Sequence, residues 1–293
     1  MIQWYPGHMA KTRRMLQERL RLVDVVVEVA DARLPVSSRN PELARMVSGK
    51  PSVLILNKAD LADERETGRW VAFINKTSKT TACVPFDALH DRPAPVISAI
   101  NAAAEPIVER YKARGMTKTV RAMVVGIPNS GKSALINRLC GKAIAIAQDR
   151  PGVTRSPQWV KVGDRLELLD TPGMLWPKLA DDEAAKRLAC VGTIRDQILQ
   201  TEELAEYLLR ELVAVIPDRL AARYHMDIFT HLQPNVSDID ASEQAGVYLK
   251  LVAKGRGFIL SGGRLNLERA AAVVLDEFRA GLLGRISLER LEE

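Results

Sequence analysis

Gly126-Ile-Pro-Asn-Ser-Gly-Lys-Ser133 is the stretch that decides the fold. It follows a β-branched run, Val120 to Val125, and opens a segment with helical character, Lys132 to Cys140. The octapeptide fits G-x-x-x-x-G-K-[ST], in which the glycines allow backbone N–H groups to surround a phosphate at a helix N-terminus. A strand, such a loop and a helix in this order predict a nucleotide-binding α/β protein.

The residues of this phosphate loop have distinct predicted roles. Lys132 is expected to reach the β- and γ-phosphates, and the Ser133 hydroxyl is expected to take one coordination position of Mg²⁺. The predicted nucleotide contacts of the loop are Asn129, Ser130, Gly131, Lys132, Ser133 and Ala134.

A second motif indicates which base is bound. Asn57-Lys-Ala-Asp60 follows the apolar run Ser52 to Leu56 and gives the pattern N-K-x-D. A carboxylate at Asp60 can accept hydrogen bonds from the N1–H and 2-amino groups of guanine, a donor pair that adenine lacks. Asn57 is expected to hold the loop and the base edge, and the stem of Lys58 to cover the ring. Asn57, Lys58, Ala59 and Asp60 therefore predict a guanine-nucleotide site.

Two further segments are expected to lie near the terminal phosphate. Asp170-Thr-Pro-Gly173 follows the apolar run Leu166 to Leu169. Asp170 is predicted to hold Mg²⁺ through a water, and the Gly173 N–H to contact the γ-phosphate. Thr154, in Pro151-Gly-Val-Thr154, is the second candidate hydroxyl for Mg²⁺. An ordinary turn is the alternative for each segment.

A fifth segment, Phe86-Asp87-Ala88, follows the strand-like run near Ala82 to Phe86. Its backbone is predicted to contact guanine O6. It departs from the usual Ser-Ala pair at Asp87, which leaves the details of this contact open.

The motifs occur in an unusual order. In an ordinary G domain the phosphate loop comes first, whereas here N-K-x-D at 57–60 precedes the phosphate loop at 126–133 and D-x-x-G at 170–173. A compact domain can be cut and rejoined because its chain termini tend to lie close together at the surface. The sequence therefore predicts a circularly permuted P-loop GTPase sheet of the α/β class, with helices on both faces.

The chain is predicted to form two domains. Residues 1–180 are expected to form the permuted G domain, which begins with a basic helix at 9–21. After about residue 180 apolar residues recur at helical spacing, so residues 181–293 are expected to form an all-helical domain.

Charge is unevenly distributed between these domains. Residues 181–293 hold 14 Lys and Arg against 19 Asp and Glu, so the chain's net charge of +6 leaves +11 on residues 1–180. Nucleic acid is one partner for such a surface, and simple solubility is the alternative. Within the tail, residues 244–267 lack acidic side chains and are predicted to bind RNA, with a solvated face as the alternative. This basic stretch holds Lys250, Lys254, Arg256 and Arg264, interleaved with Tyr248 and Phe258.

Composition favours a cytoplasmic protein. No apolar run approaches the length that spans a membrane, and the N-terminus lacks the features of a secretory signal. The cysteines Cys83, Cys140 and Cys190 are scattered singly, which suits a reducing compartment.

With these motifs, the chain resembles the circularly permuted GTPases of the ribosome biogenesis GTPase A family over essentially its whole length. The resemblance implies GTP-dependent late assembly of the large (50S) ribosomal subunit, RNA binding by the tail, and stimulation by ribosomal particles and potassium. It also implies that Asn129 binds K⁺, with an Asn that only stabilises the turn as the alternative. The expected partners are GTP or GDP and the large subunit or its precursor, bound by a monomer. Further matching segments are Trp4–Lys11, Asp31–Arg33, Ser38–Pro41, Ser261–Gly263 and Gly284–Ser287.

The hydrolytic group is not given by these motifs. Many GTPases place a water-orienting Gln just after D-x-x-G, but Met174 occupies that position here. His8 is the candidate catalytic residue. Because the helix at 9–21 runs almost directly into the strand Val23–Ala30, its start is expected at the sheet edge where ligands bind. A solvated histidine is the alternative.

Two functions therefore stay open from the sequence. The first is a ribosome-assembly GTPase that its particle switches on. The second is a nucleotide-sensing RNA-binding factor with only incidental hydrolysis, which Met174 keeps possible. Asp60 argues against a third, an ATP-using P-loop enzyme.

Overall fold

The computed structural model describes residues 6–78, 80–141, 158–175, 182–194, 200–226 and 241–291, and only the backbone at residues 6–12 and 241–245. The chain divides into two compact units, residues 1–181 with 285–293, and residues 182–284. The assignment of residues 1–180 and 181–293 to two domains stays a prediction. The structure adds one feature that the sequence did not indicate, namely that residues 285–293 belong to the first unit.

One mainly parallel sheet forms the centre of the first unit. Its strands are β1 (Val25–Asp31), β2 (Ser52–Asn57), β3 (Ala82–Phe86), β4 (Val120–Gly126), β5 (Gln158–Val162) and β6 (Leu166–Asp170). They lie in the order β3-β2-β1-β4-β6-β5, and all neighbouring pairs are parallel except β5 with β6. Strand β1 is buried along its whole length, as its nearly continuous β-branched run predicts.

Helices cover both faces of this sheet. They are α1 (Pro6–Leu20), α2 (Pro41–Met46), α3 (Glu64–Thr77), α4 (Ala94–Lys112) and α5 (Lys132–Cys140). Alternate residues of a strand point to opposite faces, so Val27 packs with residues of α4 and α5, while Val26 packs with Leu16 and Leu20 of α1. The predicted α/β fold class is confirmed.

The second unit consists mainly of helices. They are α6 (Asp182–Cys190), α7 (Thr201–Val213), α8 (Pro217–Tyr224), α9 (Ala241–Gly255) and α10 (Leu267–Arg279). An isolated antiparallel bridge joins Ile259 to Leu265. In the part of the chain that the structure describes, no helix combines the length and the apolar character needed to cross a membrane.

The basic stretch 244–267 differs in one respect from its sequence-based prediction. Tyr248 and Phe258 are buried, so they belong to the core and do not form a stacking surface for bases. Arg256 pairs with the Glu277 carboxylate at 3.2 Å. Lys250, Lys254 and Arg264 are exposed, whereas Arg256 is only partly exposed.

Candidate functional site

The phosphate loop connects β4 to α5 at the carboxyl edge of the parallel strands. Gly131 has a φ of +89°, and a Cβ there would lie 2.1 Å from Nδ2 of Asn57, so the close approach requires glycine. Nδ2 of Asn57 donates a hydrogen bond to the carbonyl oxygen of Ser130 at 2.9 Å. The predicted base-binding and phosphate-binding loops are therefore joined directly across β1.

Lys132 lies inside this loop. Its side chain is buried, and its ammonium donates to the carbonyl oxygen of Ile127 at 2.6 Å. Burial lowers the pKa of Lys132 from 10.5 to about 8, the Asp170 carboxylate opposes this shift, and Lys58 adds to it. An anion beside the ammonium would reverse the shift, because an opposite charge favours the charged form. Lys132 thus has the surroundings expected of a phosphate-binding lysine.

Ser133 and Asp170, two of the predicted Mg²⁺ ligands, lie within hydrogen-bond distance of each other. The Ser133 hydroxyl donates to Oδ2 of Asp170 at 3.3 Å, and Oδ1 of Asp170 is buried with no hydrogen-bond partner among the described residues. Burial raises the pKa of Asp170, and Lys132 opposes this shift. Hydroxyl and carboxylate oxygens are ligands that Mg²⁺ accepts, so the pair fits that ion. Thr154, the third predicted ligand, lies outside the described residues.

The segment after β6 runs along the phosphate loop. A Cβ on Gly173 would lie 2.6 Å from the backbone nitrogen of Pro128, so only glycine allows this approach. The next N–H, that of Met174, donates to the carbonyl oxygen of Gly126 at 3.1 Å. D-x-x-G and the phosphate loop are therefore in backbone contact.

The Met174 side chain is buried in the apolar core. It is 3% exposed and belongs to an apolar cluster with Leu16 of α1 and Val125 of β4. The Asn40 amide donates to the Met174 carbonyl at 2.9 Å and holds the backbone in place. Met174 is therefore a core residue, as well as being chemically unable to orient a water.

The N-K-x-D loop contacts the ends of both strands that neighbour β2. Lys58 has a φ of +59°, a conformation that is uncommon for a residue with a side chain. Its ammonium lies 3.2 Å from the Asp31 carboxylate, at the end of the adjacent strand β1. The Ala59 N–H donates to the carbonyl oxygen of Phe86 at 3.2 Å, which joins this loop to the loop after β3.

Asp87 caps its own turn. Its Oδ1 accepts a hydrogen bond from the Leu89 N–H at 2.7 Å, and its Oδ2 lies 2.5 Å from Nδ1 of His90. Hydrogen bonds inside the loop therefore accommodate the departure from Ser. Burial raises the pKa of Asp60, and the Asp87 carboxylate raises it further.

Asp31 and Arg33, to which the sequence motifs assign no role, form a buried ion pair at this edge. Nε and Nη2 of Arg33 donate to the two carboxylate oxygens of Asp31 at 2.9 and 2.8 Å. Although burial opposes it, Arg33 and then Lys58 hold the pKa of Asp31 well below its ordinary value. The available signal was an Asp ending a buried strand, at the same edge as Asn57.

The remaining predicted residues are placed in part. The backbone of His8 lies in the first turn of α1, and its side chain is outside the described residues. Asn129, with a φ of +56°, lies in the phosphate loop, and Ala134 lies in the first turn of α5. Ala88 follows β3 and is 9% exposed. The nucleotide contacts of Asn129, Ala134 and Ala88 and the catalytic role of His8 stay predictions.

Several known proteins are similar to this chain in sequence and in fold. A family model described as 50S ribosome-binding GTPase matches residues 121–222. Ribosome biogenesis GTPase A of Bacillus cereus is 40% identical and covers 100% of this chain and 95% of its own length. Mitochondrial ribosome-associated GTPase 1 of Mus musculus is 35% identical over 98% of this chain and 90% of its own. GNP-bound YlqF from T. maritima superimposes with a TM-score of 0.64 at 26% identity, over 96% of this chain and 98% of that one.

Proposed function

This chain belongs to the ribosome biogenesis GTPase A family, and on that premise we propose that it hydrolyses GTP to GDP in late assembly of the large ribosomal subunit. The observation that carries the proposal is the hydrogen bond from Asn57 to Ser130, which joins the two predicted nucleotide loops at one edge. An RNA-binding factor with incidental hydrolysis is not favoured, because the full-length relatives are named GTPases.

The residues at this edge divide the binding of GTP between them. The Asp60 carboxylate accepts the N1–H and 2-amino hydrogens of guanine, and Lys132 neutralises the β- and γ-phosphates. Gly173 brings its N–H to the γ-phosphate because its backbone already lies against the phosphate loop. Ser133, Thr154 and Asp170 would hold Mg²⁺, which neutralises charge on the phosphate oxygens when it is bound.

His8 is the proposed water-orienting residue. Met174 occupies the position at which many GTPases have a water-orienting glutamine, but it is buried in the core. Another residue must therefore orient the attacking water. Leu16 of α1 packs in the same cluster as Met174. His8 lies two helical turns before Leu16, or about 12 Å along the helix axis. It is therefore at the end of α1 that is farther from the start of β1.

We expect His8→Ala to lower single-turnover hydrolysis on the activating ribosomal particle by about 100-fold, since a positioned general base or water-orienting group contributes on this scale. GTP affinity should not change, because His8 is assigned no contact with the bound nucleotide. Rapid-quench hydrolysis at saturating particle measures this rate. An unchanged rate would remove His8 from the mechanism.

We also propose that Asn129 helps to hold a K⁺ ion near the phosphates. Turnover in KCl should then exceed turnover in NaCl at equal ionic strength by about tenfold, as expected for added positive charge at the transition state. Asn129→Ala should remove most of the difference. Equal rates for the wild type in both salts would refute the K⁺ site.

The proposed partner is the large subunit or its precursor, bound by a monomer in the cytoplasm. The exposed cations Lys250, Lys254 and Arg264 are the proposed contacts with rRNA, because ammonium and guanidinium groups neutralise phosphates. Co-sedimentation with large subunits tests this, in GDP and in a non-hydrolysable GTP analogue. The proposal requires stronger association with the analogue, and equal association in both states would contradict it.

A further inference from the structure

The chain returns to the first unit after residue 284, and this returning segment, residues 285–291, lies beside the predicted guanine loop. On one side it contacts the residues that follow N-K-x-D. Arg285 donates from Nη2 to the carbonyl oxygen of Ala59 at 3.1 Å and from Nε to that of Ala62 at 2.9 Å. The Ile286 N–H donates to the Leu61 carbonyl at 2.9 Å. One guanidinium and one backbone group thus hold three of the four carbonyls that follow Lys58, those of Ala59, Leu61 and Ala62.

On its other side, the returning segment contacts the residues that follow β1. The N–H groups of Leu288 and Glu289 donate to the Arg33 carbonyl at 3.1 and 3.3 Å. The Glu289 carboxylate is buried and accepts from the N–H groups of Val36 and Ser37 at 2.7 and 2.9 Å. The segment therefore also fixes the turn that holds Arg33.

These two sets of contacts meet at Lys58. The Arg33 side chain pairs with Asp31, and Asp31 pairs with the Lys58 ammonium. Lys58 has a left-handed backbone conformation, and such residues persist only where the surroundings hold them. The segment supports the loop directly at Ala59 and indirectly through Arg33 and Asp31.

We propose that the returning segment is a positioning element for guanine recognition, with Arg285 and Glu289 as its principal residues. It holds Lys58 and Ala59 so that the neighbouring Asp60 carboxylate meets the N1–H and 2-amino groups of the base. This inference rests on the proposed guanine site. None of the segment's residues is assigned a contact with the nucleotide itself.

The test compares GDP with inosine diphosphate, which lacks the 2-amino group that Asp60 is proposed to bind. For Arg285→Ala, the Kd for GDP should rise about tenfold, the scale of a lost pair of charge-assisted hydrogen bonds, and the Kd for inosine diphosphate should rise less. The ratio of the two affinities therefore falls. Arg285→Lys, which keeps one cationic donor, should restore part of it. Glu289→Gln, which loses one acceptor oxygen, should change the ratio in the same direction.

Arg290→Ala is the matched control, because Arg290 is an exposed arginine of the same segment. It should leave both Kd values unchanged. Equal changes in the two Kd values for Arg285→Ala, or none, would overturn the positioning role, the first because it indicates a general effect on the fold. A wild-type protein that does not prefer GDP to ADP would instead refute the guanine site itself.

Discussion

Asp60→Asn is expected to turn a guanine-binding protein into one that prefers xanthine nucleotides. The asparagine keeps the size of the side chain but presents an NH₂ donor where the carboxylate presented an acceptor. That donor opposes the 2-amino group of guanine, whereas xanthine carries a carbonyl oxygen at this position. The affinity for GDP should fall by about 1,000-fold, because a buried donor is left facing another donor.

Competition binding with GDP, xanthosine diphosphate and ADP measures this exchange. Asp164→Asn is a matched control, since Asp164 is an exposed aspartate in the turn between β5 and β6. Asp60→Asn should bind xanthosine diphosphate more tightly than GDP, while the control keeps the wild-type order. Undiminished GDP binding by Asp60→Asn would show that the base is recognised elsewhere.

Local sequence patterns were sufficient to predict most of the sheet. Strand β3 has the predicted bounds, and β2, β4 and β6 end one residue later, at Asn57, Gly126 and Asp170. Burial on both faces gives such strands a continuous apolar run, and the motif residues directly after them mark the carboxyl edge. Helix α3 was not predicted, although Asp63 caps it by accepting from the Glu66 N–H, a spacing that is visible in the sequence.

Long-range contacts explain what the sequence did not indicate. Arg285 donates to Ala59 across 226 positions of the chain, and no periodicity or spacing predicts such a pairing. The Asp31–Arg33 pair is local, but its role depends on Lys58, which the parallel pairing of β1 with β2 brings beside it. Met174 could be recognised as a missing glutamine, whereas its packing against Leu16 required the fold.

Lys132→Met is expected to reduce the affinity for GDP and GTP by about 1,000-fold, since a buried phosphate then loses a cation inside a low-dielectric loop. Methionine nearly matches the lysine stem in volume and carries no charge to bury. The thermal midpoint of the nucleotide-free protein should therefore stay the same or rise. Isothermal titration and thermal unfolding separate the two effects, with Lys161→Met on β5 as an exposed control.

The pKa of Lys132 gives this substitution a second, pH-dependent readout. In the free protein the group titrates at about 8, below its ordinary 10.5, and bound phosphate should raise that value again. Binding then takes up a proton above pH 8, so wild-type affinity should be level below pH 7 and fall by at most about tenfold per pH unit above 8. The measurement must stop below the pH at which guanine N1–H ionises. Lys132→Met should lose this dependence, and its persistence would assign the proton to another group.

The same pKa shift affects the stability of the nucleotide-free protein. Between pH 8 and 10.5 the unfolded chain binds more protons at Lys132 than the folded chain does. The contribution of Lys132 to the free energy of unfolding should therefore rise with pH across that range.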